Sequence, residues 1–217
     1  MKIVLASASP RRIEILRAAG LRFAVVPSGI DERPPRRLGA LRYIQWAARA
    51  KAEAVAAGDP MAVVIAADTE VVLRGRIFGK PRDRREAAGF LRALSGRTHQ
   101  VYTAVCVLRS GHYAEGVSRT HVTMRELSAA AIAAYMRTGE AQDKAGAYAI
   151  QGKGRRLIAS IRGPYDNVVG MPLHLLRRLL WESGVAITLT SPDELQHDVI
   201  APPRRRSRPP TRGTPRR

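Results

Sequence analysis

The sequence is short of cysteine, aromatics and acids. Cys106 is the only cysteine in 217 residues, so no internal disulfide can form and a reducing, cytoplasmic setting fits best. Aromatics make up 5%, which leaves Ala, Val, Ile and Leu to fill a core and argues against a nucleic-acid platform of interleaved aromatic rings. No apolar run approaches ~18 residues, so no membrane-spanning helix is available, and the apolar stretch at Met1–Ala6 is too short for a signal peptide. The five histidines are isolated, without zinc spacing. No Ser/His/Asp order stands out, and there is no Gly-Lys-Ser/Thr phosphate loop. Acids number 18 against 37 basic residues.

What is present is a globular balance of 45% hydrophobic and 25% charged residues, enough for one ordinary domain or two small lobes. The net charge is +19, of which seven arginines lie in Pro202–Arg217 together with five prolines and no acid. That tail cannot build a packed core and is expected to be disordered, leaving residues 1–201 as the folded unit. Since the folded unit is itself basic, polyanionic partners are favoured.

Apolar runs alternate with helical periodicity, which predicts a mixed α/β domain. Residues 2–6 read as a buried strand. Ser9 is placed to cap a helix, with Pro10 at its first position, apolar residues at Ile13, Leu16 and Ala19, and Gly20 closing it. Arg22–Val26 reads as a second strand. After a polar loop over 28–37, a long helix is predicted from Leu38 to Ala57, with Leu41, Ile44, Ala48 and Val55 as its apolar stripe. Met61–Leu73 reads as a strand turning at Arg74-Gly75 into Arg76–Phe78. Asp83 with Glu86 opens a helix ending near Gly96. Strands His99–Leu108 and Tyr113–Met124 turn at Ser110-Gly111, and Ser128 caps a helix to about Met136. A strand at Leu157–Ile161, a helix from Pro172 to Gly184 and a last short strand at Val185–Leu189 complete the reading. Cys106 falls inside an apolar strand, as a core residue would.

Four segments could carry chemistry, and each also has a bland reading. Ser7-Ala8-Ser9-Pro10-Arg11-Arg12 joins a strand to a helix start, where free amides, two hydroxyls and two guanidiniums suit a phosphate; the alternative is a capped helix with a solvated arginine pair. Asp68, in Ala67-Asp68-Thr69-Glu70 immediately after an apolar run, could bind a metal or take a proton from water, or simply cap a turn. In an extended chain Asp68 and Glu70 share a face. Gly79-Lys80-Pro81 offers close backbone approach and a compact positive charge, or a plain surface turn. Asp31-Glu32 and Lys51 are charged positions of the same kind; Lys51 alone reads best as a solvated helix residue. In Asp143–Gly152, Gln151 carries an amide that can read a base edge, within what is otherwise a Gly/Ala-rich connection.

Taken in order, these segments resemble the Maf family of nucleoside triphosphate pyrophosphatases. The matching stretches are Ser7–Arg12, Asp31-Glu32, Lys51, Ala67–Thr69, Gly79–Pro81, Ser95–His99, Asp143–Gly152 and Asn167–Leu173, spread between residue 2 and about 190. The ordered set is highly specific. The resemblance implies an α/β fold with an elongated mixed sheet and flanking helices, in two lobes around a deep nucleotide-binding cleft. It implies cleavage of a nucleoside triphosphate to monophosphate and pyrophosphate with a divalent cation, Mg²⁺ or Mn²⁺. Asp68 matches the proton acceptor, and Arg11, Thr69 and Gln151 match the positions tied to substrate choice, in the combination of the dTTP/UTP branch. The branch acting on 7-methyl-GTP usually has an aromatic residue in place of Arg11. Ser7, Ser9, Arg12, Lys51 and Lys80 are then expected at the phosphates, and Glu32 and Asp68 at the metal. A homodimer is a family-level expectation. Glu70, where the family usually has an apolar residue, and the Arg/Pro tail depart from the pattern; the tail adds an expected non-specific polyanion contact. A non-catalytic nucleic-acid-binding protein is the reading from a different class.

Overall fold

The structure of the protein, a computed structural model, describes residues 1–34 and 38–190. The expected tail at 202–217 and Pro35–Arg37 of the polar loop lie outside the described residues. The chain forms β1 (Ile3–Leu5), α1 (Pro10–Ala18), β2 (Ala24–Val25), α2 (Ala40–Ala56), β3 (Val63–Leu73), β4 (Arg76–Phe78), α3 (Arg84–Leu94), β5 (Thr98–Arg109), β6 (His112–Met124), α4 (Ala129–Met136), β7 (Ile158–Arg162), α5 (Tyr165–Val169) and α6 (Leu173–Glu182).

Local chemistry explains most boundaries. The Asp83 carboxylate accepts from the Glu86 amide at 2.7 Å while the Glu86 carboxylate accepts from the Arg82 amide at 2.7 Å, and Ser128 Oγ accepts from the Ala131 amide at 3.1 Å. These bonds satisfy amides that a helix start leaves orphaned. Arg74-Gly75 and Ser110-Gly111 both hold positive φ at the two central turn positions, the geometry that matches the twist of a two-residue hairpin.

The seven strands form one mixed sheet in the order β2-β1-β3-β5-β6-β7, with β4 also paired to β3. β1 is parallel to β2 and β3, and the remaining pairs are antiparallel. β3 and β5 form the spine, paired from Val64–Leu108 to Val72–Gln100. On the other edge of β3, β1 pairs along Val63–Ile65 and β4 along Val71–Leu73, so Asp68–Glu70 lie between two diverging strands. This arrangement positions the site.

Alternation along the sheet builds three cores. Ile3, Leu5, Val63, Ile65, Val105 and Val107 meet Leu16 of α1 and Leu176 and Leu179 of α6. On the opposite face Val4, Ala6, Val64, Ala66 and Cys106 meet Ile44, Ala48 and Ala52 of α2. Beyond Glu70 the first face continues as Val71, Val101 and Val122 under α3 and α4. Burial pushes the Cys106 thiol up to about 12, as suits a packed, unreactive side chain.

Several expectations need correction. Val185–Leu189 is not a strand: Val185 and Leu189 are buried, but this stretch enters no ladder, and the Thr190 amide that follows bonds the Ala19 carbonyl instead. Leu41 is 46% exposed, because it lies in the first turn of α2, away from the face packed on the sheet. The second strand shortens from Arg22–Val26 to Ala24–Val25. The helix Tyr165–Val169 and two 3-10 turns, Ala145–Ala147 and Gly152–Leu157, were not expected; each is too short to show a period.

Candidate active site

β1 ends at Leu5, and Ala6 still bonds the Ile65 carbonyl at 2.8 Å before the chain leaves the sheet at Ser7. Ser9 holds the extended N-cap conformation of α1, but its side chain makes no cap bond; its amide instead donates to Ser7 Oγ at 3.2 Å. The Ser9 hydroxyl is therefore not consumed by the helix. Arg12, one turn in, is no solvated surface arginine. Its Nε donates to the Gly170 carbonyl (2.9 Å), Nη1 to Ser7 Oγ (3.3 Å) and Nη2 to Thr69 Oγ1 (3.0 Å). Burial lowers its pKa, and the field of Asp68 opposes that shift.

Lys51 also overturns the solvated-helix reading. It lies on the buried face of α2, 7% exposed, with Nζ 2.6 Å from Asp68 Oδ1 and 3.0 Å from Glu32 Oε1. The spacing Ile44, Ala48, Lys51, Val55 already follows the helical period, a signal that places it inward. Asp68 lies within β3, as the strand expected over Met61–Leu73 has it, because β3 runs on to Leu73 after β1 has left its edge.

Glu70, left out of the expected metal set, faces the same side as Asp68 and is buried with it. Desolvation first, then repulsion from Asp68 and Glu32, pushes its pKa up to about 8, against the pull of Lys51 and Lys80. Near neutral pH the protein thus holds one largely protonated acid beside the lysine-paired Asp68. Asp68 Oδ2 and Glu70 Oε2 are buried without a hydrogen-bond partner among the described residues. Hard oxygens of this kind fit a divalent cation whose other ligands are water and substrate oxygens. No cluster of three His, Cys, Asp or Glu side chains is gathered among the described residues, and Lys51 Nζ stands between Glu32 and Asp68.

The other expected residues surround this cluster. Lys80 is exposed just past β4 and its charge is felt at Glu70; a Cβ at Gly79 would come 3.5 Å from the Glu70 carboxylate. The Gly146 amide donates to the Gly79 carbonyl at 3.2 Å, which brings the 143–152 segment beside Lys80. Arg11 acts electrostatically on both Arg12 and Asp143, which brings α1 within reach of that segment. Gln151 is exposed at the start of the 3-10 turn Gly152–Leu157.

Thr103 escaped the sequence reading, and His99 and Asn167 entered it only within matched stretches, with no role. Thr103 Oγ1 lies 2.9 Å from Thr69 Oγ1 and donates to the Asn167 carbonyl at 2.8 Å. Asn167 Nδ2 donates to the Val101 carbonyl and to Thr120 Oγ1, both at 3.0 Å. His99, fully buried, holds Tyr148 by an Nε2···OH contact of 2.7 Å and so anchors the segment carrying Gln151.

The Maf-like protein family matches residues 2–183. The chain belongs to this family. Curated relatives include a Moorella thermoacetica protein, 52% identical over 86% of this chain and 97% of its own length, and a Deinococcus radiodurans protein, 50% identical over 85% and 94%; both are named dTTP/UTP pyrophosphatase. The Ham1 protein of Staphylococcus aureus aligns with 84% of this chain and all of its own at TM-score 0.48 and 16% identity.

Proposed function

We propose that this Maf-family chain is a nucleotide pyrophosphatase that hydrolyses dTTP and UTP to the monophosphate and pyrophosphate. The observation that carries the reading is the convergence of Ser7, Arg12, Lys51, Asp68 and Thr69 where β1 and β4 part from β3. Relatives about half identical to this chain bear the name of that activity.

The chemistry follows from the placement. Water adds to the α-phosphorus, the bond from that phosphorus to the α–β bridging oxygen breaks, and pyrophosphate leaves. Asp68 takes the proton from the water at Oδ2, the oxygen not bonded to Lys51. Arg12, Lys51 and Lys80, with the hydroxyls of Ser7 and Ser9, bind the phosphates and offset their charge. Glu32, Asp68 and Glu70 would hold a divalent cation, Mg²⁺ or Mn²⁺, which when bound supplies further positive charge at the phosphates. Arg11 and Gln151 face the base, and Thr69 acts on substrate choice through its bond to Arg12. Residues 1–201 form the catalytic unit in a cytoplasmic homodimer, and the basic tail touches polyanions without entering the reaction.

Purified protein with Mg²⁺ and, separately, dTTP, UTP, CTP and 7-methyl-GTP tests this. Monophosphate and pyrophosphate from dTTP and UTP are expected. Release of orthophosphate with a diphosphate product, or a preference for 7-methyl-GTP, overturns the proposal.

A further inference from the structure

The segment that carries Gln151 has little regular backbone to hold it. Residues 148–151 enter no helix or strand, and the 3-10 turn Gly152–Leu157 that follows is too short to fix its own place. A helix start leaves its first amides without intrahelical acceptors, and the residue at the cap position usually supplies one. Here Gln151 holds that position in extended conformation, and its side chain makes no cap bond. Glu140, in the turn after α4, does the capping instead. Its Oε1 accepts from the Lys153 amide and its Oε2 from the Gly154 amide, both at 3.1 Å.

A second bond closes the other end of the loop. Tyr135, buried on α4, accepts from the Ala149 amide at 3.0 Å. The chain folds back on itself there. A Cβ at Gly154 would stand 2.2 Å from the Ala149 carbonyl oxygen and 2.9 Å from the Tyr135 hydroxyl, so only glycine allows this approach. At Gly152, whose φ is +61°, a Cβ would meet Glu140 Oε1 at 2.9 Å. Residues 146–150 are buried, and the chain surfaces at Gln151. The exchange of roles is the informative point. Glu140 takes over the cap, so the Gln151 backbone is fixed while its side-chain amide is left for a ligand. Recognition depends on such support, since a misplacement of about 1 Å can cost on the order of 10² in rate.

We infer that Glu140, with Tyr135, is a positioning residue for base recognition by Gln151. Neither touches substrate; both hold the loop 149–154 in the shape that presents the Gln151 amide to a pyrimidine edge. The inference rests on the pyrophosphatase reading and adds two residues to it.

The test is steady-state hydrolysis of dTTP by the full chain with Mg²⁺, in the parent, Glu140→Gln and Tyr135→Phe, each also in a Gln151→Ala background, with a thermal melt of every variant. Gln keeps one acceptor and turns its NH₂ toward the other backbone donor; Phe keeps the ring and removes the acceptor. In each, KM for dTTP rises by about tenfold with kcat within about twofold. With Gln151→Ala the same changes alter KM by less than about twofold, because no amide is left to misplace. The inhibition constant of inorganic tripolyphosphate, which has no base, stays within about twofold of the parent, whereas damage to the fold or to the phosphate contacts would raise it. Tyr135→Phe carries the test if Glu140→Gln fails to fold. The inference is overturned if the folded variants keep the parent KM, if KM rises as much without Gln151 as with it, or if tripolyphosphate binding weakens in step with dTTP. A parent that releases no pyrophosphate from dTTP overturns the pyrophosphatase reading and this inference with it; the other three outcomes, in an active parent, overturn this inference alone.

Discussion

Asp68→Asn separates the chemistry of the site from its packing. Asn has the same shape and still offers Oδ1 to Lys51 Nζ, the 2.6 Å partner in the parent. Removing one member of a buried ion pair costs about 3–5 kcal/mol when the other charge is stranded. Here it is not stranded, because Lys51 keeps Glu32 Oε1 at 3.0 Å. Asp68 is also the second cause, after burial, of the raised Glu70 pKa, so a neutral residue relieves that repulsion. The two effects oppose each other, and the expected loss of stability is about 1–2 kcal/mol, a fall of several degrees in melting temperature.

Turnover should respond on another scale. A missing general base costs about 10²–10⁴ in rate, and the lost carboxylate also removes a hard-oxygen partner for the cation. A fall of at least about 10³ in kcat/KM for dTTP is expected, equivalent to about 4 kcal/mol of transition-state stabilisation. Pyrophosphate release from dTTP with Mg²⁺ and a thermal melt by circular dichroism, on the same preparation, measure both quantities. A folded Asp68→Asn protein with turnover within tenfold of the parent would remove Asp68 from the proton-transfer step.

Three further outcomes are expected. Gln151→Glu replaces a donor with a charge at an exposed position; KM for dTTP and UTP should rise about 10- to 100-fold with an unchanged melt, and unchanged kinetics would dissociate Gln151 from base recognition. Burial holds the His99 pKa down at about 4, so between pH 6.5 and 4 the unfolded chain binds more protons than the folded one; stability is full above about 6.5 and falls by about 3 kcal/mol as pH drops to 4. Urea melts of His99→Gln should show a shallower acid slope, and an identical slope in both proteins refutes this account. Deleting residues 202–217 should leave dTTP turnover unchanged at moderate salt, since the catalytic cluster is drawn entirely from residues 7–80; a folded truncated protein that loses most turnover would bring the tail into the site.

What could be read in the sequence was whatever local chemistry decides. Arg74-Gly75 and Ser110-Gly111 are turns because both positions need positive φ, and Asp83 and Ser128 are caps because a helix start needs acceptors. The alternation that puts Asp68 and Glu70 on one face was also legible. Lys51 was misread because its charge outweighed its place in the buried stripe of α2. The supporting roles of Thr103, Asn167 and His99 were invisible for a different reason. Their partners lie 34 to 66 residues away in sequence, and no periodicity encodes such contacts. Val185–Leu189 has the alternating burial of a strand, yet a strand also needs a free edge to pair with, which composition cannot supply.

The least favourable part of the fold is also the part that makes it useful. A buried acid with an unpartnered oxygen costs about 1–3 kcal/mol, and Asp68 and Glu70 each carry one on the same face of β3. A sheet built for stability would continue a neighbouring strand past these residues and place apolar side chains there. Instead β1 leaves the edge at Ser7 and β4 joins it only at Val71, so three residues of β3 face an opening. The opening keeps its shape because a second set of polar groups, linked by hydrogen bonds, lies beneath it. Arg12 is fixed by Ser7, Thr69 and Gly170; Thr69 is fixed by Thr103, and Thr103 by the Asn167 carbonyl. These bonds tie α1 to α5 across the spine of the sheet. The guanidinium therefore stands ready for phosphate before substrate arrives, and its side-chain entropy has already been spent in folding. Carboxylate oxygens left without a partner on one side of β3 and a hydrogen-bonded chain of polar groups on the other are two halves of one arrangement, since the first can act on a ligand only if the second does not move.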